Sequence, residues 1–403
     1  MHELLALKYV DINLITALQV ILLGFIGGTL SGFIGSGGAF FMTPGMMNLG
    51  VEGVVAVASN ITHKFGKAMV GSRKHGEAGN VDKKLAAFIL ATAIAGIQLA
   101  VFINIHLFKG GGDGHGAGGS ASANLYISLV FVTILSVVAI SMLKDALGSR
   151  RNGDTDSGPS RRISEFLGRL NLPPVIHFPV ADVKVSLWVL MLVGIATGYL
   201  AGTIGVGGFI GVPAMIYIFG VPTAVAAGTE LYLAMFMGAY GALSYAYQGL
   251  LDLRLTMLMY LGSLIGIHLG VYGVKVVNER YIRLVTSLII LLCVVSRGIA
   301  IPVYLHQLDV VSFADHWDAY LNTASKLFLF VSGTGGALLI LLQVVKAFRR
   351  RRKIQKTLLI EQQPEQSQAS NSRGWAAVPA LTGVVESMKP WRKNGQTVRN
   401  SDR

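Results

Sequence analysis

The stretch Ala58-Ser59-Asn60-Ile61-Thr62-His63-Lys64-Phe65-Gly66-Lys67-Ala68 gathers an amide, an imidazole and two amines within a few residues of one another. As a helix it puts Asn60, Lys64 and Lys67 on one face, with His63 beside them and one turn before Lys67. Apolar sequence precedes this run, and cations at membrane depth are costly enough that they usually line a polar pathway. Lys64 and Lys67 are therefore candidates to attract an anion. The alternative is a solvated cytoplasmic helix near the inner interface, since Arg73 and Lys74 follow closely. When the chain is aligned on itself with a shift of 170 residues, Asn60 meets Glu230 and Ser59 meets Thr229. Apolar residues flank Glu230, which makes a solvated surface position hard to sustain. Glu230 and His63 are the groups that could carry a coupled proton, and Asn60 and Thr229 are candidate polar contacts to a substrate.

The same shift exposes a second kind of chemistry. Gly28-Thr29-Leu30-Ser31-Gly32-Phe33-Ile34-Gly35-Ser36-Gly37-Gly38 recurs as Gly198-Tyr199-Leu200-Ala201-Gly202-Thr203-Ile204-Gly205-Val206-Gly207-Gly208, identical at seven of eleven positions. Gly50 meets Gly220, Gly79 meets Gly249 and Asp82 meets Asp252, with a one-residue slip only around Pro44 and Pro213. Non-helical backbone at membrane depth survives where it faces a cavity or buried protein. Its N–H groups, with the positive ends of half-helices, suit an anion. Gly35, Gly37, Gly38, Gly205, Gly207 and Gly208 are the candidates, with Ser36 adding a hydroxyl. Close helix approach is the other use of such glycines in membranes.

The elements that must position these groups follow from composition. Of 403 residues, 52% are hydrophobic and 14% charged, against about 25% charged in soluble domains. Spans of the required length are expected at Ile12–Ile34, Leu85–Leu107, Leu125–Leu143, Val185–Ile204, Leu255–Val276, Tyr281–Leu305 and Leu327–Val345. Between them, 38–50 and 208–220 read as half-helices of re-entrant hairpins with second arms at 53–71 and 222–247. Basic residues place the 72–84 connection, the 145–183 loop, the 277–283 turn and the tail inside, while 108–122 and 306–324 lie outside. The 247–254 connection must then be outside although its equivalent, 77–84, is inside. The expected fold is an all-α multi-pass membrane protein of two inverted-topology repeats with broken, re-entrant glycine-rich helices. Its expected divisions are 1–144, a linker at 145–183, 184–305, an external segment and extra span at 306–347, and a basic disordered tail at 348–403. The N-terminus is expected outside and the C-terminus in the cytoplasm. A short amphipathic piece, Ile163 to Leu170, is expected on the membrane surface.

Several function classes drop out. The net charge of +13 is concentrated after the last span, at Lys346, Arg349 to Arg352 and Lys353. That pattern suits anionic lipid rather than nucleic acid. The single cysteine, Cys293, rules out an internal disulfide or a multi-cysteine zinc site. His106, His115, His268 and His306 lack paired ligand spacing, and no nucleophile–base pair is visible, so neither metal, cofactor nor enzyme is expected. A small anionic substrate is the expected partner, with homo-oligomerisation left open. A passive anion channel, or a scaffold or sensor working through its cytoplasmic loop and tail, are the alternatives.

The motif Gly28–Gly38, Pro44, the Ala56–Asn60 arm and Gly79-Asn80-Val81-Asp82 together resemble the TauE/SafE family of sulfite and sulfoacetate exporters. The copy from Gly198 to Asp252 matches the same pattern, and the resemblance covers roughly residues 15–145 and 185–300. It implies an inner-membrane carrier of small sulfur-containing or organic anions, driven by the proton gradient. The glycine motifs and the Asn60 and Glu230 arms would form the substrate region. Gly37-Gly38-Ala39 and Gly207-Gly208-Phe209 stand where the family often has three glycines. The His63–Lys67 run, the extra span at 327–345 and the long tail are further departures. They leave the particular substrate open.

Overall fold

Helices take up the apolar runs, as backbone groups in lipid must be satisfied within their own segment. A computed structural model describes residues 12–34, 38–109, 117–148, 173–274, 277 and 279–371. The first repeat contributes α1 (Leu14–Ile34), α2 (Ala39–Asn48), α3 (Gly53–Glu77), α4 (Lys83–Lys109) and α5 (Ala117–Gly148). A two-stranded antiparallel hairpin follows, β1 (Val175–Phe178) and β2 (Val183–Ser186), with Val175 opposite Ser186. Next come α6 (Leu187–Ile204), α7 (Gly208–Pro213) with its π-helical continuation Ala214–Ile218, α8 (Thr223–Tyr247), α9 (Leu253–Val274), α10 (Glu279–Gln307) and α11 (His316–Asn371). Residues 1–347 form one compact unit and 348–403 a second.

Among the described residues, seven helices are long and apolar enough to cross a bilayer, at the seven places where spans are expected. Large side chains such as Leu192, Leu243, Phe102 and Ile265 stand exposed, as lipid-facing residues do. Neither α3 nor α8 is among the seven. Both have 25 residues, about 37 Å at 1.5 Å per residue, and both carry the polar positions singled out above.

Glycine contacts fix which helices pair and in what direction. A methyl group at Gly24 or Gly28 of α1 would run into the backbone of Met259 or Ser263 of α9. The equivalent positions Gly194 and Gly198 of α6 meet Ile89 and Ala93 of α4, and every index is displaced by 170 residues. Both pairs are parallel, since the partner number rises with the glycine number. In contrast, Gly71 of α3 meets Leu231 of α8, while Gly241 of α8 meets Ile61 of α3. One index rises as the other falls, so α3 and α8 run antiparallel.

The helical expectation holds for the body of the protein, with one short hairpin added: β1 falls in the expected 145–183 linker and β2 begins at its end. Two expectations about α11 need correction. Helix α11 begins at His316 rather than near Leu327, so much of the supposed external segment is helical, with Asp318 in its first turn where an acid favours the helix dipole. It also continues to Asn371, past the point at which the tail composition suggests disorder; Leu, Ile, Glu and Gln in that stretch are adequate helix formers. The amphipathic piece 163–170 and the loop at 110–116 lie outside the described residues.

Candidate functional site

Four positions within two turns of α3 each reach a different element. Asn60 Nδ2 donates to the carbonyl of Ala39 (2.9 Å) and to Thr43 Oγ1 (2.8 Å) on α2. Thr43 Oγ1 passes the bond on to the carbonyl of Ile204, the last residue of α6 (3.0 Å). His63 Nε2 lies 2.7 Å from Ser263 Oγ on α9 and its ring packs on Tyr260. Lys67 Nζ donates to Ser31 Oγ of α1 (2.6 Å). Lys64 Nζ stands 3.7 Å from Glu230 Oε1 on α8.

That last contact joins the two copies at the arms their sequences mark as equivalent. Both residues are buried, Lys64 at 7% exposure and Glu230 at 1%, which removes the reading of Lys64 as a solvated interfacial lysine. At 3.7 Å the pair attracts by charge without a hydrogen bond. Neither carboxylate oxygen of Glu230 has a hydrogen-bond partner, so the anion holds only one half of what a buried carboxylate requires. Asn60 Oδ1 and Ser59 Oγ are likewise buried and unpartnered. Glu230 Oε1 and Oε2 on α8, and Ser59 Oγ and Asn60 Oδ1 on the helix that carries Lys64, thus keep unused bonding capacity.

The glycine break forms one wall. Helix α6 ends in a left-handed cap at Gly205, φ 79°, a conformation that only glycine adopts without strain. The Gly205 N–H bonds back to Ala201 O at 3.0 Å, so Gly205 is a cap and not a donor to a ligand, contrary to expectation. Its bare Cα is still needed, because a methyl there would sit 2.6 Å from Asn60 Nδ2. After the break, Gly208 begins α7, whose first N–H groups have no preceding turn to bond. Glu230 packs onto this turn. A methyl at Gly208 would lie 2.8 Å from Oε1, and one at Gly211 would overlap Oε2. Gly207 packs on Ala201 and Thr197.

Some expected residues do not join this group. Thr229 turns the other way, its Oγ1 accepting the Asp82 N–H at 3.0 Å, and so belongs to the turn between α3 and α4. Gly35, Ser36 and Gly37 lie outside the described residues; Gly38 packs against Gly27 of α1. Conversely, Ser31, Thr43, Gly211, Tyr260 and Ser263 take part without having been singled out. Ser31 sits inside the duplicated motif, and that is the one signal that could have found it. Ser263 and Tyr260 lie on an ordinary apolar span, and Gly211 falls where the repeat register slips. Among the described residues no three His, Cys, Asp or Glu side chains converge as for a metal ion.

Known proteins supply the context for this geometry. No solved structure matches the chain. A relative in Bacillus subtilis (strain 168), "Probable membrane transporter protein YjnA", is 24% identical over 276 residues, 68% of this chain and 97% of that protein. The helices that carry the polar seam, α1 to α10, fall almost entirely within residues 20–297, which match the family described as "Sulfite exporter TauE/SafE". Membrane-crossing helices, duplicated glycine breaks and this match agree: the chain is a multi-pass membrane protein that belongs to the TauE/SafE sulfite exporter family of membrane transporters.

Proposed function

We propose that the protein is a secondary transporter of small anions, sulfite or a related sulfur oxoanion or organosulfonate, and that each anion moves with a proton. One observation carries the reading: the buried Lys64–Glu230 pair, 3.7 Å apart between α3 and α8. Lys64 cannot serve an incoming anion while it is held by the Glu230 carboxylate. A proton on Glu230 cancels that hold, and the anion then takes the carboxylate's place beside Lys64. Anion and proton bind together or not at all, which makes the loaded carrier electroneutral for a monovalent anion. Around Glu230 stand Lys64 on α3 and the first turn of α7; His63 and Lys67 lie one turn away on α3. Direction follows the combined gradients, so an anion concentrated inside is exported.

Helix directions support an inverted repeat around this centre. With the 72–84 connection inside, α4 leaves the cytoplasm and α6, parallel to it, does the same from the inner 145–183 loop. Helix α9, entering from outside, is parallel to α1, which fits an external N-terminus. Antiparallel α3 and α8 are then the two copies of one helix pointing opposite ways. Their contacts are centred midway between 61 and 71 and between 231 and 241, next to Lys64 and Lys67. Alternating access by exchange of two inverted halves needs its site at such a centre. Helices α2, of ten residues, and Gly208–Ile218 are too short to cross about 30 Å of hydrocarbon and read as the re-entrant half-helices.

The test is flux of labelled sulfite and sulfate in proteoliposomes, with and without an imposed pH gradient. Wild type accumulates sulfite against its gradient when the pH gradient is applied. Lys64→Ala loses uptake altogether. Glu230→Gln, which mimics the protonated state, exchanges sulfite but no longer responds to the pH gradient. A Glu230→Gln protein that still concentrates sulfite under a pH gradient would overturn the coupling.

A further inference from the structure

The largest fully buried side chain among the described residues lies outside this site. Arg297, 1% exposed, stands near the middle of the apolar span Leu284–Gln307 of α10. Its Nη1 donates to Tyr304 Oη (3.3 Å) and its Nη2 to Ser325 Oγ on α11 (3.2 Å). Its Nε is buried and has no partner. Ser325 and Ser296 in turn bond Asn48 at the end of α2, at 3.1 and 3.2 Å. Every one of these partners is neutral.

Charge accounting makes this cluster unlike the others. Lys64 has Glu230 and Arg254 has Asp252, while Lys67, bonded to Ser31, is an amine on a part-buried position. Among the described residues, no carboxylate lies within ion-pair distance of Arg297. A buried lysine can shed its proton and become neutral, but a guanidinium cannot. Neutral hydroxyls at the Nη positions soften the burial of a fixed positive charge without cancelling it. The unmatched Nε–H is the edge at which guanidinium takes anions.

We infer that Arg297 is the centre of a second anion site, separate from the Lys64–Glu230 site, which holds a small inorganic anion at the Nε edge. The anion supplies the counter-charge that the protein withholds. It also ties α10, α11 and α2 together, because Ser325 and Asn48 share the same hydrogen-bond cluster. Occupancy of this site therefore steadies the half-helix α2, whose Thr43 holds Asn60. The occupant can be an ambient halide or the transported oxoanion itself, as both present the same compact negative charge.

Purified full-length protein, freed of halide in gluconate buffer, tests this by thermal unfolding on titration with sodium bromide, chloride or sulfite. Wild type gains melting temperature with rising anion concentration, as a ligand of the folded state demands. Arg297→Gln loses that gain, whereas Lys64→Met keeps it. A gain produced by halides identifies an ambient counter-ion; a gain produced by sulfite alone supports this site when Lys64→Met, which lacks the transport site, keeps it and Arg297→Gln reduces it. An equal gain in Arg297→Gln and wild type overturns it. Should Arg297→Gln fail to fold, anomalous scattering from bromide-soaked wild-type crystals decides instead. A peak within hydrogen-bond distance of Arg297 Nε upholds the site, and a map without one there refutes it.

Discussion

Glu230 and Lys64 illustrate how much one residue's role depends on its partner's presence. Removing one member of a buried ion pair costs about 3–5 kcal/mol, because a lone charge stays behind, whereas replacing both by apolar groups is often neutral. Lys64→Met and Glu230→Met should therefore each lower stability by that order, and the double variant should recover most of the loss. Thermal unfolding of the three proteins in one detergent measures it; additive losses would mean that the pair does not interact. Glycines on α7 give a sharper residue-scale contrast. Gly211→Ala places a methyl against Glu230 Oε2, so transport should fall at least tenfold while the helices persist. Gly76→Ala meets nothing within 4 Å and replaces a glycine in the last turn of α3, where alanine favours the helix by at most about 1 kcal/mol. It should transport normally. Comparable losses in both variants would show that glycine matters here for helix stability and not for seating Glu230.

At the scale of elements, the Asp82 carboxylate ties the turn of the hairpin β1–β2 to the start of α4. Asp82 Oδ2 accepts the N–H groups of Val180 and Ala181 in the hairpin turn, at 3.2 and 3.0 Å, and Oδ1 accepts the Leu85 N–H at 2.9 Å. Its own N–H reaches Thr229 on α8. Lys84 adds a bond to the His177 carbonyl at 2.9 Å. Each buried N–H stripped of its acceptor costs about 1–3 kcal/mol, so Asp82→Ala should release residues 175–186. Hydrogen exchange in that segment should quicken at least tenfold, with α4 protected as before. Unchanged protection would assign the hairpin's stability to its own strands. Nothing in the sequence announces this element: each strand has four residues, too few for an alternating pattern to stand out. The spans were legible because twenty apolar residues have few other uses, and the parallel pairs because their glycines repeat at a fixed offset. The Lys64–Glu230 contact was not, since sequence shows which residues are equivalent but not that Lys64 of α3 reaches Glu230 of α8. Ser263 was invisible for a simpler reason, as one serine in an apolar helix ordinarily bonds its own backbone.

For the whole molecule, the proposed inversion makes a prediction that charge counting and helix direction reach independently. Positive residues put Lys83 and Lys84 inside, whereas the equivalent Leu253-Arg254 segment carries half that charge and is placed outside. Packing reaches the same result with no charges at all, because antiparallel α3 and α8 must deliver their C-terminal ends to opposite faces. Those ends are Glu77 and Tyr247, followed by Ala78 and Gln248. The single native cysteine, Cys293, is fully buried, so Cys293→Ser clears the background with little change in volume. Into it go Ala78→Cys or Gln248→Cys, one at a time, in right-side-out vesicles exposed to a membrane-impermeant maleimide. Gln248→Cys should label at once and Ala78→Cys only after the membrane is opened. Labelling of both from one side would place the copies in the same orientation. The exchange of halves would then be impossible, and alternating access would need a gate at one end of the Lys64–Glu230 site rather than a symmetric rearrangement around it.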